Sequence, residues 1–344
     1  MRQTTIRDVA RAAGVSAATV SRFLNNAIEL PKETGDRINA AVAKLNYRPN
    51  LLAKRLSLGA SETIGLVTPN IANPFFAGLA AAAEDEASRL GYSILLSSTL
   101  GARDREIASV ERLAARHVDG LIIMTNRPDD GALARYLDGR RDVVVLDEDI
   151  PGAGVPKIFA ENEAGAYAAT RALIAAGHVR IGHIGGPVAL FSAGGRHAGF
   201  PRAMAGGGLA VPPRHVLFGS YDQSWGMEAI GPMLSGRNPP TAVFTASDYI
   251  AVGVLKALRA LGLSVPRDLS IASFDDMPFA DLLDPPLTTA RQPADEMGRG
   301  GVRALVGLIR GEAVAPVSRL PTELVVRQSV GPPPASPRGT AKSR

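Results

Sequence analysis

The spacing of apolar residues divides the chain into two regions. Up to about residue 45, apolar residues recur at every third or fourth position, which is typical of amphipathic helices. From Thr63 onward, short apolar runs of strand type alternate with helical stretches. The predicted strands span 64–67, 93–97, 120–124, 143–147, 180–186, 242–247 and 270–276, and the predicted helices lie near 76–90, 103–116, 163–176, 196–205, 224–234 and 249–261. Apolar strands joined by helices predict parallel α/β sheets, and roughly 270 residues of this pattern favour two lobes with a cleft.

The first amino-terminal helix is predicted by its stripe and by both of its ends. Its apolar stripe consists of Ile6, Val9, Ala10 and Ala13. Thr5 can cap the start, with Asp8 three residues later as a weaker form of the capping box. Gly14 stands where the chain leaves the helix, a position that favours a left-handed backbone.

The second helix carries no acidic residue. Ser16 can cap its start, and Val20 and Leu24 would face inward. The residues left facing outward are Ala17, Ala18, Ser21, Arg22 and Asn25. A helix-turn-helix places such a face in the major groove of DNA, whereas an ordinary helical hairpin would leave it in solvent.

A third helix is predicted within PKETGDRINAAVAKLNYRP, and a short linker follows it. The buried stripe of this helix would hold Ile38, Ala41, Val42 and Leu45. Gly35 weakens the helix and Pro49 ends it. The segment NLLAKRLSLGAS that follows is basic and amphipathic but too short to be a stable helix alone, so it predicts a linker that folds against a partner.

The net charge of +5 is unevenly distributed. Residues 1–60 hold ten Arg or Lys and four acids, the segment from 331 holds three basic residues and no acid, and the remainder is mildly acidic. A basic head on an acidic body suits a phosphate backbone as the partner of the head alone, although a solvated basic surface is the simpler alternative.

Composition excludes several other classes of protein. The chain has no cysteine, so it forms neither disulfides nor thiolate metal sites. No signal peptide and no apolar run of membrane-spanning length is evident, so we expect a soluble, cytoplasmic protein. The Pro- and Gly-rich end, GPPPASPRGTAKSR, predicts a disordered tail at 331–344.

Five segments together resemble the lactose-repressor (LacI/GalR) family of bacterial transcription regulators, and the resemblance covers about residues 4–330. The segments are TIRDVARAAGVSAATVSRFLN, LNYRPNLLAKRLSLG, IANPFF, AAGHVRIGHIGGP and SFDDMPFADLLDPPLTTARQP, in family order. The resemblance implies a homodimer, or a pair of dimers, on a near-palindromic DNA operator. It also implies a helix-turn-helix headpiece at 1–48, a hinge at 49–60, and a two-lobed core at 61–330 similar to periplasmic sugar-binding proteins. One lobe would hold about 61–160 and 290–322, and the other about 161–289 and 323–330.

The resemblance also implies the DNA contacts. Arg22 is the best candidate for a base contact, because its guanidinium matches guanine O6 and N7, whereas Ala17 and Ala18 can only touch a thymine methyl or admit water. Leu56 aligns with the hinge leucine that family members wedge into the minor groove; packing of the hinge leucines on the headpiece is the alternative. The expected DNA-binding residues are Thr5, Ser16, Ala17, Ala18, Thr19, Ser21, Arg22, Asn25, Asn50, Ala53, Lys54, Arg55 and Leu56.

In the core, the resemblance implies a small-molecule effector between the lobes. The expected effector-binding residues are Asn73, Phe75, Phe76, Asp147, Glu148, Arg196, Tyr221, Ser247, Asp275 and Gln292. Aromatic walls and carboxylates at strand ends suit a sugar. Glu148 stands where a ribose-type site has arginine, and Ser247 where asparagine is common, so a different sugar, a polyol or a nucleobase stays open. Asp275 could instead cap a turn, and Phe76 could belong to the core.

Other functional classes find less support in the sequence. There is no G-x-G-x-x-G after a strand, no Walker loop and no metal-type histidine spacing, so we expect neither an enzyme nor a bound cofactor or metal. A solute receptor would not need the headpiece. Glycines at 194–195 and Pro201 predict an irregular or broken helix around Arg196. We therefore expect an effector-controlled repressor, with inducer and corepressor both open.

Overall fold

The computed structural model describes residues 4–24, 28–47, 60–128 and 130–335. The chain forms two compact units, Met1–Ser61 and Glu62–Arg344. Most of the predicted hinge lies outside the described residues. Within the part of the chain that is described, no helix has both the length and the apolar character needed to cross a membrane.

The first unit contains three helices, α1 (Ile6–Ala13), α2 (Ala17–Leu24) and α3 (Lys32–Lys44). The fully buried apolar residues between them are Val9, Ala10, Ala13, Val20, Ile38 and Ala41. The predicted stripes therefore do form the core. Two details differ from the prediction: Phe23 packs against this core, and so does Ala17, which the sequence placed on the outward face.

The predicted ends of α1 and α2 are present. The Asp8 carboxylate accepts hydrogen bonds from the Thr5 N–H at 3.0 Å and from the Thr5 hydroxyl at 2.7 Å. Gly14 has a φ of 67°, the left-handed conformation that lets the chain turn sharply out of α1. Ser16 Oγ accepts the Thr19 N–H at 3.0 Å. These caps fix the angle at which α2 leaves the turn.

The second unit has twelve strands and eight α-helices among its described residues. In chain order they are β1 (Thr63–Thr68), α4 (Pro74–Arg89), β2 (Ser93–Ser98), α5 (Arg103–Ala114), β3 (Gly120–Ile123), α6 (Ala132–Leu137), β4 (Val143–Leu146), β5 (Lys157–Ala160), α7 (Asn162–Ala175), β6 (Ile181–Gly185), α8 (Phe191–Gly206), β7 (Val216–Phe218), α9 (Gln223–Ser235), β8 (Ala242–Thr245), α10 (Asp248–Ala260), β9 (Ser270–Asp275), β10 (Thr288–Arg291), α11 (Ala294–Ile309), β11 (Val317–Leu320) and β12 (Glu323–Val325).

The strands form two six-stranded sheets, as the apolar pattern predicts. The first has the order β11-β5-β4-β3-β1-β2 and is parallel throughout. The second has the order β12-β10-β9-β8-β6-β7 and is parallel except for β12 against β10. The chain passes between the sheets three times, after β5, β10 and β11. Since β10 pairs with β9, the second crossing follows residue 291, slightly beyond the expected 290.

Apolar clusters cover both faces of each sheet. In the first sheet, α4 and α11 contribute Leu79 and Leu305 to one face, and α5 contributes Leu113 to the other. In the second sheet, Phe200 of α8 and Val254 of α10 lie in the clusters on opposite faces. Burial on both faces leaves the strand ends as the places where polar side chains can gather.

Helix α8 runs unbroken from Phe191 to Gly206, so the predicted irregularity around Arg196 is wrong. Pro201 lies inside the helix. A β-carbon at Gly199 would contact the Glu163 carbonyl oxygen and lie 2.7 Å from the Tyr167 nitrogen, both on α7. Gly199 therefore allows α8 to pack closely on α7, and it does not break the helix.

The end of the described chain is held in place at Gly331, which the sequence assigned to a disordered tail. Its carbonyl oxygen lies 2.9 Å from His178 Nε2 and accepts the Ser270 hydroxyl at 3.2 Å. Its N–H donates to Ser270 Oγ at 3.1 Å. The prediction of a disordered tail is therefore wrong at Gly331.

Candidate functional site

A cleft enclosing about 530 Å³, part of it open to solvent, lies where strands of both sheets end. All ten residues predicted to bind an effector line it: Asn73, Phe75, Phe76, Asp147, Glu148, Arg196, Tyr221, Ser247, Asp275 and Gln292. The sequence interpretation missed six further lining residues, Thr125, Asn126, Leu190, Ser192, Tyr249 and Met277. Thr125 and Asn126 come two and three residues after the end of β3, so the rule that ligands meet strand ends could have found them.

An aromatic pair at the start of α4 supplies part of the apolar lining. Asn73 Oδ1 accepts the Phe75 N–H at 3.0 Å and caps the helix. Phe75 and Phe76 pack edge to face, with ring centroids 5.1 Å apart. Phe76 belongs to the hydrophobic core and also lines the cleft, so the two alternatives for this residue, core or cleft, do not exclude each other.

Arg196 is buried and held on three sides. Its Nε donates to Asn162 Oδ1 at 2.9 Å. Its Nη1 donates to the Ala246 carbonyl oxygen at 2.7 Å and to Asp275 Oδ1 at 3.1 Å. The guanidinium carbon lies 4.0 Å from the centre of the Phe274 ring. These contacts fix the cation in the cleft and pair it with one carboxylate.

Asp275 ends β9 with a φ of 115°, and its side chain joins two parts of the cleft. Its Oδ1 accepts from Arg196 and from Gln292 Nε2 at 2.8 Å. Burial raises the pKa of Asp275, against the opposing effect of Arg196. The neighbouring Asp276 bonds instead to Arg291 at 2.7 Å and to Arg327 at 2.6 Å. Asp275 therefore organises the cleft, and Asp276 lies outside the set of lining residues.

Asp147 and Glu148 follow β4 and are both buried. Asp147 has a φ of 71°, and its Oδ1 has no hydrogen-bond partner among the described residues. Burial raises the pKa of Asp147 to about 6, opposed by Arg196 and assisted by Asp275. Burial and the charge of Asp147 raise the pKa of Glu148 to about 7. Both Glu148 oxygens accept the Ser192 N–H, at 3.2 Å each.

The remaining predicted lining residues are Tyr221 and Ser247. The Tyr221 hydroxyl lies 3.1 Å from Ser192 Oγ, and burial raises the pKa of this tyrosine. Ser247 Oγ accepts the Ile250 N–H at 3.2 Å and caps α10. The next residue, Asp248, is fully buried, and burial with the nearby Asp275 raises its pKa to about 7.

In the first unit, α2 presents an exposed, acid-free face at Ala18 and Arg22. Ala17 is half-buried against the helical core, so only the exposed part of its side chain is available for a contact with a thymine methyl. Thr5 and Ser16 act as helix caps. Thr19 and Ser21 are half-buried. The predicted DNA-binding residues Asn25, Asn50, Ala53, Lys54, Arg55 and Leu56 lie outside the described residues.

Two histidines near the second sheet make contacts that indicate a structural role. The His183 ring lies between Phe200 and Phe244, with centroids 5.2 and 5.1 Å away, and burial lowers its pKa to about 3. His178 Nδ1 lies 2.9 Å from Thr241 Oγ1. Over the described ranges, no cluster of three or more His, Asp or Glu side chains is arranged to hold a metal ion.

Comparisons with known proteins agree with this division of the chain. Residues 5–50 match the family described as bacterial regulatory proteins, lacI family, and residues 170–330 match the periplasmic binding protein-like domain. The transcriptional repressor PurR of Haemophilus influenzae (strain PittEE) is 34% identical over 330 residues, covering 95% of this chain and 98% of that protein. The ribose operon repressor of Escherichia coli (strain K12) is 35% identical over 306 residues, covering 88% and 92%.

A solved structure shares the whole architecture. It is the Lac repressor dimer bound to operator and the anti-inducer ONPF, which is 30% identical with a TM-score of 0.85 and covers 96% of this chain and 100% of that one. The similarity therefore extends over both units of the chain.

Proposed function

This chain belongs to the LacI family of bacterial regulatory proteins, and we propose that it is a repressor whose operator affinity is set by a sugar bound in the cleft between its two sheets. The observation that carries this proposal is the convergence of ten predicted residues from both sheets on one cavity. A ligand that touches both sheets stabilises one arrangement of them over another.

The chemistry of the cleft supports a hydroxylated ligand. Carboxylate and amide oxygens of Asp147, Asp275 and Gln292 can accept hydrogen bonds from hydroxyl groups, and Phe75 offers an apolar surface. One relative is a ribose operon repressor, which makes a sugar a natural first choice. A polyol or a nucleobase would use the same acceptors and stays the alternative.

For the DNA partner, we propose that α2 enters the major groove and that Arg22 reads a guanine. Its exposed position on a helix without acid supports this role. The exposed Ala18 would lie beside the bases, and Thr19 and Ser21 would contact phosphates.

We also propose that two copies of the chain act together on a two-fold operator. The outer strand β2 leaves Leu95 and Leu96 42% and 43% exposed, an unusual position for leucines on a sheet edge. The related Lac repressor structure contains a dimer bound to operator. Strand β1 follows the predicted hinge in sequence, so movement of the first sheet in each copy would change where the hinges end.

The proposal can be tested in two stages. Operator fragments are first selected from genomic DNA with the purified full-length protein at moderate salt. A thermal-shift panel of sugars, polyols and nucleobases then identifies ligands, since a ligand bound by the folded state raises the melting temperature. We expect a stabilising sugar that also changes operator affinity. Lack of preference for any genomic fragment would contradict the proposed function.

A further inference from the structure

The charges that line the cleft do not balance. Three carboxylates, Asp147, Glu148 and Asp275, face one cation, Arg196, among the described lining residues. Arg196 lies 3.1 Å from Asp275 and forms its ion pair there. Over the described ranges, neither Asp147 nor Glu148 has a basic side chain within 4 Å. Two adjacent buried acids thus form no direct ion pair, although the charge of Arg196 acts on both of them.

Two acceptor atoms in the cleft also lack donors. Asp147 Oδ1 and Gln292 Oε1 are buried and have no hydrogen-bond partner in the described part of the chain. Asp147 and Gln292 are only 7% and 5% exposed. A buried acceptor without a donor is costly, so a ligand is expected to bring N–H or O–H groups to both places. An anionic ligand would meet the same carboxylates and be repelled.

Glu148 directly follows Asp147 in the chain, and both side chains are buried. Their negative charges therefore act on each other in the cleft. A neutral sugar can donate hydrogen bonds to Asp147 and Glu148, but it leaves their charge uncompensated in a buried setting. A cation on the ligand would compensate this charge, whereas without one the charge is reduced by protonation of Glu148, whose pKa burial raises to about 7.

We propose that the effector is a small hydroxylated molecule that carries a protonated amine, and that this ammonium group lies against Asp147 and Glu148. The Ser192 N–H already reaches Glu148 at 3.2 Å, so the ammonium would supply the donors that are still needed there. Gln292 would accept a hydroxyl of the same molecule. This inference rests on the proposed function, because it names the chemistry of the ligand for the same cleft.

The test compares sugars that differ only in one hydroxyl or amine. Isothermal titration calorimetry with the full-length protein near pH 7 uses D-glucose with D-glucosamine, D-galactose with D-galactosamine, and D-mannose with D-mannosamine, plus D-glucose 6-phosphate as the anion. We expect at least one amino sugar to bind tenfold or more tightly than its neutral partner, and the phosphate to bind weakest.

Variants of Glu148 connect any preference to this residue. Glu148→Gln should weaken binding of the preferred amino sugar at least tenfold and should weaken binding of its neutral partner by a smaller factor, because the amide keeps an acceptor oxygen but loses the charge. Glu148→Arg should reverse the preference in favour of the neutral sugar. Glu111→Gln removes an exposed carboxylate on α5, outside the cleft, and should change neither affinity. A cooperative thermal unfolding transition close to that of the wild type checks that each variant is folded.

Equal or tighter binding of the neutral or anionic members overturns the inference, and so does a lack of binding by every amino sugar. The wild-type comparison alone decides this, even where a variant fails to fold. Should a neutral sugar bind and change operator affinity, the inference about charge fails while the proposed function stands. The proposed function fails separately when the protein selects no operator.

Discussion

At the scale of single residues, the cleft depends on aspartates in an uncommon backbone conformation. Asp147 and Asp275 have φ values of 71° and 115°, which cost a non-glycine residue about 1–3 kcal/mol each. The surrounding sheets hold them there, and their carboxylates consequently point into the cleft. Strained backbone conformations are common at binding sites, because the position of the binding side chain matters there more than local stability.

The pH dependence of the free energy of unfolding of the unliganded protein should reveal the ionisation of Glu148. Its pKa is raised from 4.5 to about 7, chiefly by burial. Below pH 4.5 the carboxyl is protonated in folded and unfolded chains alike. Between pH 4.5 and 7 the unfolded chain loses this proton first, so the stability that Glu148 contributes falls as pH rises and is lost above 7.

Glu148→Gln should therefore melt at the same temperature as the wild type near pH 4.5 and at a higher temperature at pH 8. The expected difference at pH 8 is on the order of 2–3 kcal/mol, from the size of the pKa shift. Thermal unfolding across this pH range measures it, with Glu111→Gln as the control. If the difference in stability between Glu148→Gln and the wild type is the same at every pH, the raised pKa of Glu148 is wrong.

Arg22 should carry much of the sequence discrimination of the headpiece. Arg22→Ala should lower the preference for operator over random DNA roughly 5- to 150-fold, since a bidentate contact with guanine contributes about 1–3 kcal/mol. Fluorescence anisotropy with both DNAs measures the ratio. Arg37→Ala removes an exposed arginine on α3 and should leave the ratio unchanged. If Arg22→Ala keeps the wild-type ratio, Arg22 does not read a base.

Sequence reasoning found the strand-end residues of the cleft but not the contacts that orient them. Asp147 and Asp275 follow apolar runs, so their place at the sheet edge could be predicted. Ser192 and Asn162 bond to cleft residues that are 44 and 34 positions away in the chain. Such contacts depend on how helices pack, which periodicity does not encode.

At the scale of elements, α8 illustrates how tertiary packing overrides local propensity. Pro201 removes a backbone donor and argues for a break. Phe200 and Met204 on either side of it are fully buried against the second sheet. Burial of side chains of this size contributes about 1.5–3 kcal/mol each, comparable to the cost of the proline, so the helix stays intact.

Two glycines of α8 should respond to alanine in opposite ways. At Gly199 a methyl group would lie 2.7 Å from the Tyr167 nitrogen, so Gly199→Ala should destabilise the protein by about 1–3 kcal/mol or more. At Gly194 nothing lies within 4 Å, and Gly194→Ala should stabilise the helix by about 0.5–1 kcal/mol. Urea unfolding compares the two. Equal effects would show that the contact between α7 and α8 is not close-packed.

Each predicted strand and helix is present, and the elements that sequence reasoning missed include the strands β5 and β12 and the helix α11. Strands β5 and β12 have only four and three residues. Helix α11 contains a glycine-rich stretch, yet its glycines permit contact with other elements; a methyl group at Gly298 would lie 3.1 Å from the Ala83 nitrogen on α4. Pairing and packing partners define such elements more than their own residues do.

At the scale of the whole molecule, the two sheets share a chain that crosses between them three times. Residues of the cleft come from both sheets and from the crossing at Gln292. A ligand there can favour one arrangement of the sheets, and the effects of ligand on operator affinity and of operator on ligand affinity must then be equal. The sequence predicted two lobes because roughly 270 residues of alternating strands and helices is large for one sheet.

The most direct test of this account measures operator affinity with and without a ligand taken from the thermal-shift panel. Wild type, Asp275→Asn and Asp276→Asn are compared by fluorescence anisotropy, because these neighbouring aspartates both have positive φ and only Asp275 lines the cleft. The account predicts that the ligand changes the operator Kd at least fivefold in the wild type and in Asp276→Asn, and less than twofold in Asp275→Asn. An unchanged Kd in the wild type, or an equal change in all three proteins, would contradict it.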